Sequence, residues 1–256
     1  MCGRFVARND LATLTQVFRI DRLDEQVLES NYNTAPTQRV YLVATTTDAA
    51  EQDDATEQDD ASGEVQRRLA IGRWGLIPSW SKERSIGARM INARAETVST
   101  KPSFRSAFAR RRCIVPVDGF YEWRPTPARG PKQPFYIHHS DSAVALAGLA
   151  GLYEWWRDPQ VVDPHDPQAW VLSCTILTMA SRGWMTDIHD RMPVAVDPSD
   201  WSAWLEPTMT DRDSAERLLD QVMADGGDDP WTGYPVSTEV NKTSHNGQQL
   251  IAPLEQ

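Results

Sequence analysis

Apolar residues recur at helical spacing over residues 11–18 (Leu11, Leu14, Val17, Phe18) and over residues 23–28 (Leu23, Val27, Leu28). Asn9 and Asp10 stand where N-caps of the first helix belong. From residue 40 the pattern changes to short apolar and β-branched runs. Residues 40–45 and 67–74 read as two strands joined in a hairpin across a polar insertion. Residues 113–117, 135–139, 144–153 and 170–178 read as further strands. Two more helices are predicted: residues 198–205, with Asp197 as cap and Pro198 in the first turn, and residues 211–224. From Tyr234 the chain reads as extended and then irregular. Many short strands, few helices and no βαβ alternation predict an α+β fold, a single domain over residues 1–256 built on an antiparallel, barrel-like sheet with flanking helices.

Composition sharpens this in three places. The chain has 256 residues, 40% of them hydrophobic, which is enough for a sizeable core. No charged-then-apolar leader opens it and no apolar run is long enough to span a membrane, so a cytoplasmic protein is expected. Cys2, Cys113 and Cys174 are odd in number and far apart, which argues against a disulfide framework or a Cys-rich zinc site. Of the 36 acids, eight lie in residues 48–64 with no base among them, leaving 28 acids against 26 bases elsewhere. The net charge of −10 therefore belongs mostly to that insertion, which is read as disordered. Abundant acid with little Lys is compatible with a salt-adapted host.

Four segments combine ionisable and aromatic residues beyond what a core needs. The first is Met1-Cys2-Gly3-Arg4-Phe5. Removal of Met1 would leave Cys2 with its α-amine and thiol on one residue, a 1,2-aminothiol able to capture an aldehyde as an imine and then as a thiazolidine. In Gly119-Phe120-Tyr121-Glu122-Trp123, strand alternation turns Glu122 away from both aromatic neighbours. On a cleft face Glu122 would suit proton transfer, and on an outer face it would simply be solvated. His189 lies between Asp187 and Asp190 and reads either as an acid/base or as a loop histidine serving local backbone. Asn92 and Arg94, two apart, share a strand face suited to a phosphate or a polarised oxygen, or to a salt bridge with Glu96. Trp74, in Trp74-Gly75-Leu76-Ile77-Pro78-Ser79-Trp80, is either core or a platform for a base. Adjacent His138 and His139 point to opposite strand faces and make a poor chelate, so no metal site is expected.

Taken in order, these segments resemble the SRAP family, the SOS-response-associated peptidases, which process abasic sites. Met-Cys-Gly-Arg-Phe at the start carries the resemblance, with Tyr32-Asn33-Thr34-Ala35-Pro36 and Trp74-Gly75-Leu76-Ile77-Pro78 after it. Ile91-Asn92-Ala93-Arg94-Ala95-Glu96-Thr97, the run from Arg112 to Trp123, and Asp187-Ile188-His189-Asp190-Arg191-Met192-Pro193 continue it. Val236-Ser237 and Val240-Asn241 near the end fit as well. The resemblance implies a sensor of abasic sites in single-stranded DNA that forms a thiazolidine crosslink through Cys2, without metal or organic cofactor. It assigns Asn92 to orienting Cys2 or the sugar, Glu122 to proton shuttling and His189 to ring opening and lyase or reversal steps. Arg4, Arg94 and Arg191 would hold phosphates, with Lys101 or Arg105 as a further contact. Trp74, Asn33 and Pro36 would form a wedge against a base. A monomer is expected, nucleoid-associated when on DNA, with the acidic insertion projecting away from the groove. An N-terminal-Cys peptidase and a non-covalent single-strand-binding module stay as rivals. The Met-Cys-Gly start of glutamine amidotransferases is shared, but Arg4-Phe5 does not suit that class.

Overall fold

The computed structural model describes residues 2–8, 10–24, 26–47, 65–126, 130–141, 144, 146–163, 166, 169–225 and 230–254. The acidic insertion and Asn9 lie outside the described residues. Helix α1, Leu11–Phe18, forms where the spacing predicts it: the Asp10 carboxylate accepts from the Ala12 N–H, and Arg19 ends the helix in a left-handed conformation at φ 53°. Its Leu14 and Phe18 are buried.

Five strands close a barrel. They are β4 (Arg39–Thr47), β5 (Val65–Trp74), β7 (Arg112–Val117), β10 (Ala147–Arg157) and β11 (Trp170–Ala180). Neighbours in the series β11, β10, β7, β4, β5 pair antiparallel, and β5 closes the ring by pairing parallel with β11 through Ser173↔Arg73 and Cys174↔Trp74. The barrel is thus mixed rather than purely antiparallel. On the same edge of β11 as β5, β6 (Asn92–Arg94) adds in parallel; on the opposite edge, beyond β10, β12 (Arg191–Pro193) adds antiparallel. A second, wholly antiparallel sheet has the order β13 (Trp231–Pro235), β9 (Gln133–His139), β8 (Gly119–Arg124), β1 (Phe5–Ala7), β3 (Asn31–Thr34).

The two units meet through a shared core. Phe5, Phe120, Ile137 and Trp231 of the second sheet pack on Leu42, Trp74, Val115 and Ile176 of the barrel strands, and Cys2 lies in this same cluster. On the sheet's other face Val6, Tyr121 and Tyr136 pack under Val236, Val240 and Leu250 of the C-terminal segment. Gly119 permits the close β8–β9 approach, since a Cβ there would sit 2.4 Å from the Ile137 carbonyl oxygen.

Two predicted helices are corrected. Residues 23–28 form no helix: β2 (Arg22–Leu23) pairs parallel with β5. Beyond it the Asp24 carboxylate accepts from Arg68 and from the Ile71 N–H, and the Leu28 N–H donates to the Tyr41 hydroxyl. The sheet satisfies groups that an isolated helix would have satisfied internally, while Leu23 and Val27 stay exposed. Of residues 198–205 only α3, Trp201–Trp204, is helical; the Asp197 carboxylate instead closes a turn on the Ser199 N–H and hydroxyl. Helices α2 (Arg105–Arg110) and α4 (Arg212–Asp225) complete the set, the latter where expected. Arg112, buried, donates to the carbonyls of Phe108, Ala109, Trp204, Glu206 and Met209, which ties α2 and α3 to the barrel. Among the described residues no helix is long and apolar enough to cross a membrane.

Burial sets an alkaline limit on this fold. It pushes the thiols of Cys2, Cys113 and Cys174 up, and, with Cys113 beside it, the Tyr153 hydroxyl up to about 12. Burial likewise raises Tyr121 and Tyr136. The folded state therefore keeps protons that the unfolded chain sheds above about pH 8.5 for thiols and about 10 for phenols. This stabilisation is complete below those values and is lost as pH rises toward the folded values. Thermal unfolding should show a Tm level between pH 6 and 8 that declines steadily from pH 9 to 11. A Tm unchanged to pH 11 would refute this linkage.

Candidate active site

The site is assembled across the seam between the sheet and the barrel. β1 runs antiparallel to β8 with Phe5 opposite Phe120, and the Tyr121 N–H donates to the Arg4 carbonyl. This pairing carries the N-terminal residues past Glu122. Alternation along β8 sends Tyr121 and Trp123 to the outer cluster and Phe120 and Glu122 to the barrel side. Glu122 is 3% exposed there. Cys2 is fully buried, and its thiol accepts from the Arg4 backbone N–H. Burial first, and the Glu122 carboxylate second, push that thiol far above its ordinary value. The sulfur is held as a thiol, with a carboxylate beside it.

The barrel supplies the other two groups. Asn92 lies on β6 opposite Ile176, and its side-chain amide donates to the Cys2 carbonyl at 2.7 Å. Its Oδ1 is buried and accepts no hydrogen bond among the described residues. His189 precedes β12. Its Nε2 lies 4.0 Å from the Glu122 carboxylate, and its Nδ1 lies 3.0 Å from the Arg191 N–H and 2.8 Å from the Asp190 carboxylate. These two Nδ1 contacts need different proton states. A bare Nδ1 accepts from Arg191, and a protonated one donates to Asp190. Cys2, Asn92, Glu122 and His189 are thus brought together, as a nucleophile, an amide donor and two groups able to move a proton. Among the described residues no three His, Cys, Asp or Glu side chains converge as a metal set. His138 and His139 pack against Tyr136, Tyr234 and Trp231 instead.

The polar residues expected to hold DNA separate into two groups. Arg94, Lys101 and Arg105 are exposed, and Arg94 and Lys101 flank the 3₁₀ turn Ala95–Thr97 that follows β6. Pro36 is half-buried in the turn between β3 and β4. The others are turned inward. Arg4 lies on the outer side of β1, donating to Asn33 Oδ1 at 2.7 Å and to the Val240 carbonyl at 2.8 Å, over the Trp123 ring. Cys2 and Arg4 would share a face in a regular strand, so the alternation breaks between them, at Gly3. Asn33 is 1% exposed, and its amide donates to the carbonyls of Val240, Lys242 and His245. It fastens the C-terminal segment to β3 and offers nothing to a base. Arg191 makes a bidentate pair with Glu96 at 2.6 and 2.9 Å, which pulls the Glu96 carboxyl below its usual range. Its charge is already neutralised, and the pair ties the β6 turn to β12.

Trp74 is fully buried against Phe5 at 4.8 Å, with its indole N–H on the Ile91 carbonyl. It packs the seam with neither ring face exposed. The exposed aromatic of the same segment is Trp80, 60% exposed, in a loop that also presents Lys82 and Arg84. The signal that would have found it is position: Trp74 ends an apolar strand, whereas Trp80 follows Pro78 and Ser79 in a turn.

The profile of the family described as SOS response associated peptidase (SRAP) matches residues 1–243. The abasic site processing protein YoqW of Bacillus subtilis is 38% identical over 252 residues, 98% of this chain and 99% of the relative. YoaM of the same organism, also described as an abasic site processing protein, is 36% identical over 98% of this chain and 97% of its own length. A crystal structure of a protein from Bacteroides thetaiotaomicron superposes with a TM-score of 0.74 over 99% of this chain and 100% of that one, at 22% identity. That last likeness is one of fold.

The fastening role of Asn33 is testable without any substrate. Asn33→Ala removes the amide that bonds the Val240, Lys242 and His245 carbonyls and the acceptor of Arg4, and should destabilise the protein by about 3 kcal/mol. Urea unfolding measures this, and limited proteolysis should cut the segment after Pro235 faster than in the unaltered protein. Unchanged stability together with unchanged cleavage would show that Asn33 is free for another task.

Proposed function

The chain belongs to the SRAP family, and we propose that it processes abasic sites in single-stranded DNA by covalent capture through Cys2. The observation that carries the reading is the convergence on one residue: the Asn92 amide on the Cys2 carbonyl and the Glu122 carboxylate beside the Cys2 thiol. The Bacillus relatives, described as abasic site processing proteins, support the same substrate.

The chemistry requires removal of Met1. The freed α-amine has an ordinary pKa of about 7.7–8.0, so a useful share is neutral near pH 7. It attacks the C1′ aldehyde of the ring-opened sugar to give a carbinolamine. The Glu122 carboxylate, with His189 4.0 Å away, carries the proton released by the attacking amine to the former aldehyde oxygen. It then takes the thiol proton and passes it to the carbinolamine hydroxyl, which leaves as water and forms an iminium, and the sulfur closes on the iminium carbon. The product is a neutral thiazolidine, one water is released, and Glu122 ends as the carboxylate it began as. The raised thiol fits this order, because sulfur is not needed as a nucleophile until the carbinolamine has formed. His189 also serves sugar ring opening. Asn92 fixes the Cys2 backbone while its free Oδ1 accepts from the amine or the sugar. Arg94, Lys101 and Arg105 hold phosphates, and Trp80 with Pro36 supplies the surface for a base.

Incubation with an oligonucleotide carrying one abasic site should give a heat-stable adduct on a denaturing gel. Cys2→Ala should abolish it, and Glu122→Gln should slow its formation by 10²–10⁴-fold, about the range of general acid–base catalysis. An adduct that forms equally well without Cys2 sinks the proposal, and peptide cleavage with no DNA adduct would favour an N-terminal-Cys peptidase.

A further inference from the structure

A cluster of arginines lies apart from Cys2 and is not used by the chemistry above. Arg39 and Arg73 sit directly opposite one another on the antiparallel pair β4 and β5, so their side chains leave the same face. Arg73 is partly buried, donates to the Thr37 carbonyl at 2.8 Å, and keeps a buried Nε with no acceptor among the described residues. The 3₁₀ helix Arg84–Arg89 packs on the chain just after Arg73, with the Gly87 carbonyl oxygen 2.4 Å from where a Cβ on Gly75 would stand, and burial, then the cation of Arg84, hold Arg73 below the usual guanidinium range. Like charges directly opposite on a sheet are destabilising. Yet among the described residues no carboxylate pairs with Arg39, Arg73 or Arg84. Arg39 is bound to the neutral Gln26 amide, and Glu83, next to Arg84, is bound to the Ser85 hydroxyl.

Beside the cluster runs a groove of about 320 Å³, walled by Asn31, Thr34, Thr37, Gln38 and Arg39. Glu29 also lines it. The Thr34 hydroxyl is buried there with no hydrogen-bond partner among the described residues. Uncompensated cations, an unmet guanidinium N–H and an unmet hydroxyl all lie around the turn that carries Pro36. Phosphate oxygens accept from such groups and lift the repulsion between them.

We propose that Arg39, Arg73 and Arg84, with the adjoining polar groove, form a second phosphate-binding stretch that holds the DNA strand beside the Cys2 site. This rests on the reading of the protein as a single-strand DNA binder. The groove reaches Ala7, five residues along β1 from Cys2, or about 16 Å of extended chain. It therefore serves a part of the strand other than the reacting nucleotide.

The test is non-covalent binding of the full chain to a fluorescent single-stranded oligonucleotide without an abasic site, by anisotropy across a salt series. Arg39→Gln with Arg84→Gln, both exposed, should weaken binding and reduce the slope of log K against log salt by about 1.4, or about 0.7 for each phosphate no longer neutralised. Arg212→Gln with Arg217→Gln removes the same charge from α4 and should leave the slope as in the unaltered protein. An unchanged slope in the first pair, or an equal drop in both pairs, overturns the inference. Adduct formation by the unaltered protein on abasic DNA tests the functional reading separately. An adduct with no effect of Arg39 and Arg84 removes this stretch alone.

Discussion

The double-edged pairing of β11 is the constraint on which the site depends. One edge of this strand holds β10 and then β12, and the other holds β5 and then β6. The register Ile176↔Asn92 sets the amide that holds Cys2, Cys174↔Trp74 sets the indole that packs the seam, and Ala180↔Arg191 sets the turn carrying His189. A slip by one residue at any of these would turn the side chain to the opposite face. The Arg191–Glu96 pair fixes the two outer strands to each other, so Asn92 and His189 cannot drift independently. The parallel closure also explains why the barrel can hold the site at its edge: β6 continues the edge begun by β5 and needs no hairpin partner of its own.

The second sheet contributes through dryness. Packing β1 between β8 and β3, with the barrel on one face and the C-terminal segment on the other, leaves Cys2 with no solvent contact. A desolvated thiol next to a carboxylate is a poor thiolate. Enzymes that attack first through sulfur lower the thiol pKa with a nearby cation; here the terminal amine acts in that sense, but burial and the Glu122 carboxylate outweigh it. The arrangement suits a reaction in which nitrogen begins and sulfur completes, which is the order that a terminal aminothiol permits. Asn33 bears on this at a distance: by fastening residues 240–245 to β3 and Arg4 it keeps the outer face of β1 closed.

Much of this was legible in local sequence, and what was not has a common cause. Strand alternation correctly turned Glu122 away from Tyr121 and Trp123, because β8 is regular. The strand spacing and the Asp10 cap were likewise local signals. For Arg4 no local signal gave its side, which is set by Asn33 and the Val240 carbonyl far along the chain. Trp74 and Trp80 sit in one short segment, and periodicity has no purchase on the turn that separates their fates. Asn33 is buried by residues that return more than 200 positions later, and residues 23–28 are held by Arg68, Ile71 and Tyr41 rather than by themselves. In each case a long-range partner overrode a local preference.

Charge follows the same logic. A net of −10 says little about a surface whose field decays over about 10 Å at ordinary ionic strength. What matters is which arginines are spent. Arg4 on Asn33, Arg112 on five carbonyls and Arg191 on Glu96 are committed to the fold. Arg8 on Asp118 and Arg111 on Glu154 are paired as well. Among the described arginines with no carboxylate partner, Arg39 and Arg73 lie by the β3–β4 turn and Arg94 and Arg105 on or after β6, on chain adjoining Trp74 and Asn92. Trp74 is the residue next to Arg73, and Asn92 stands two before Arg94. Since the seam residues and the unspent cations are neighbours in the chain, the strands that build the site also carry the charge that would draw a polyanion toward it.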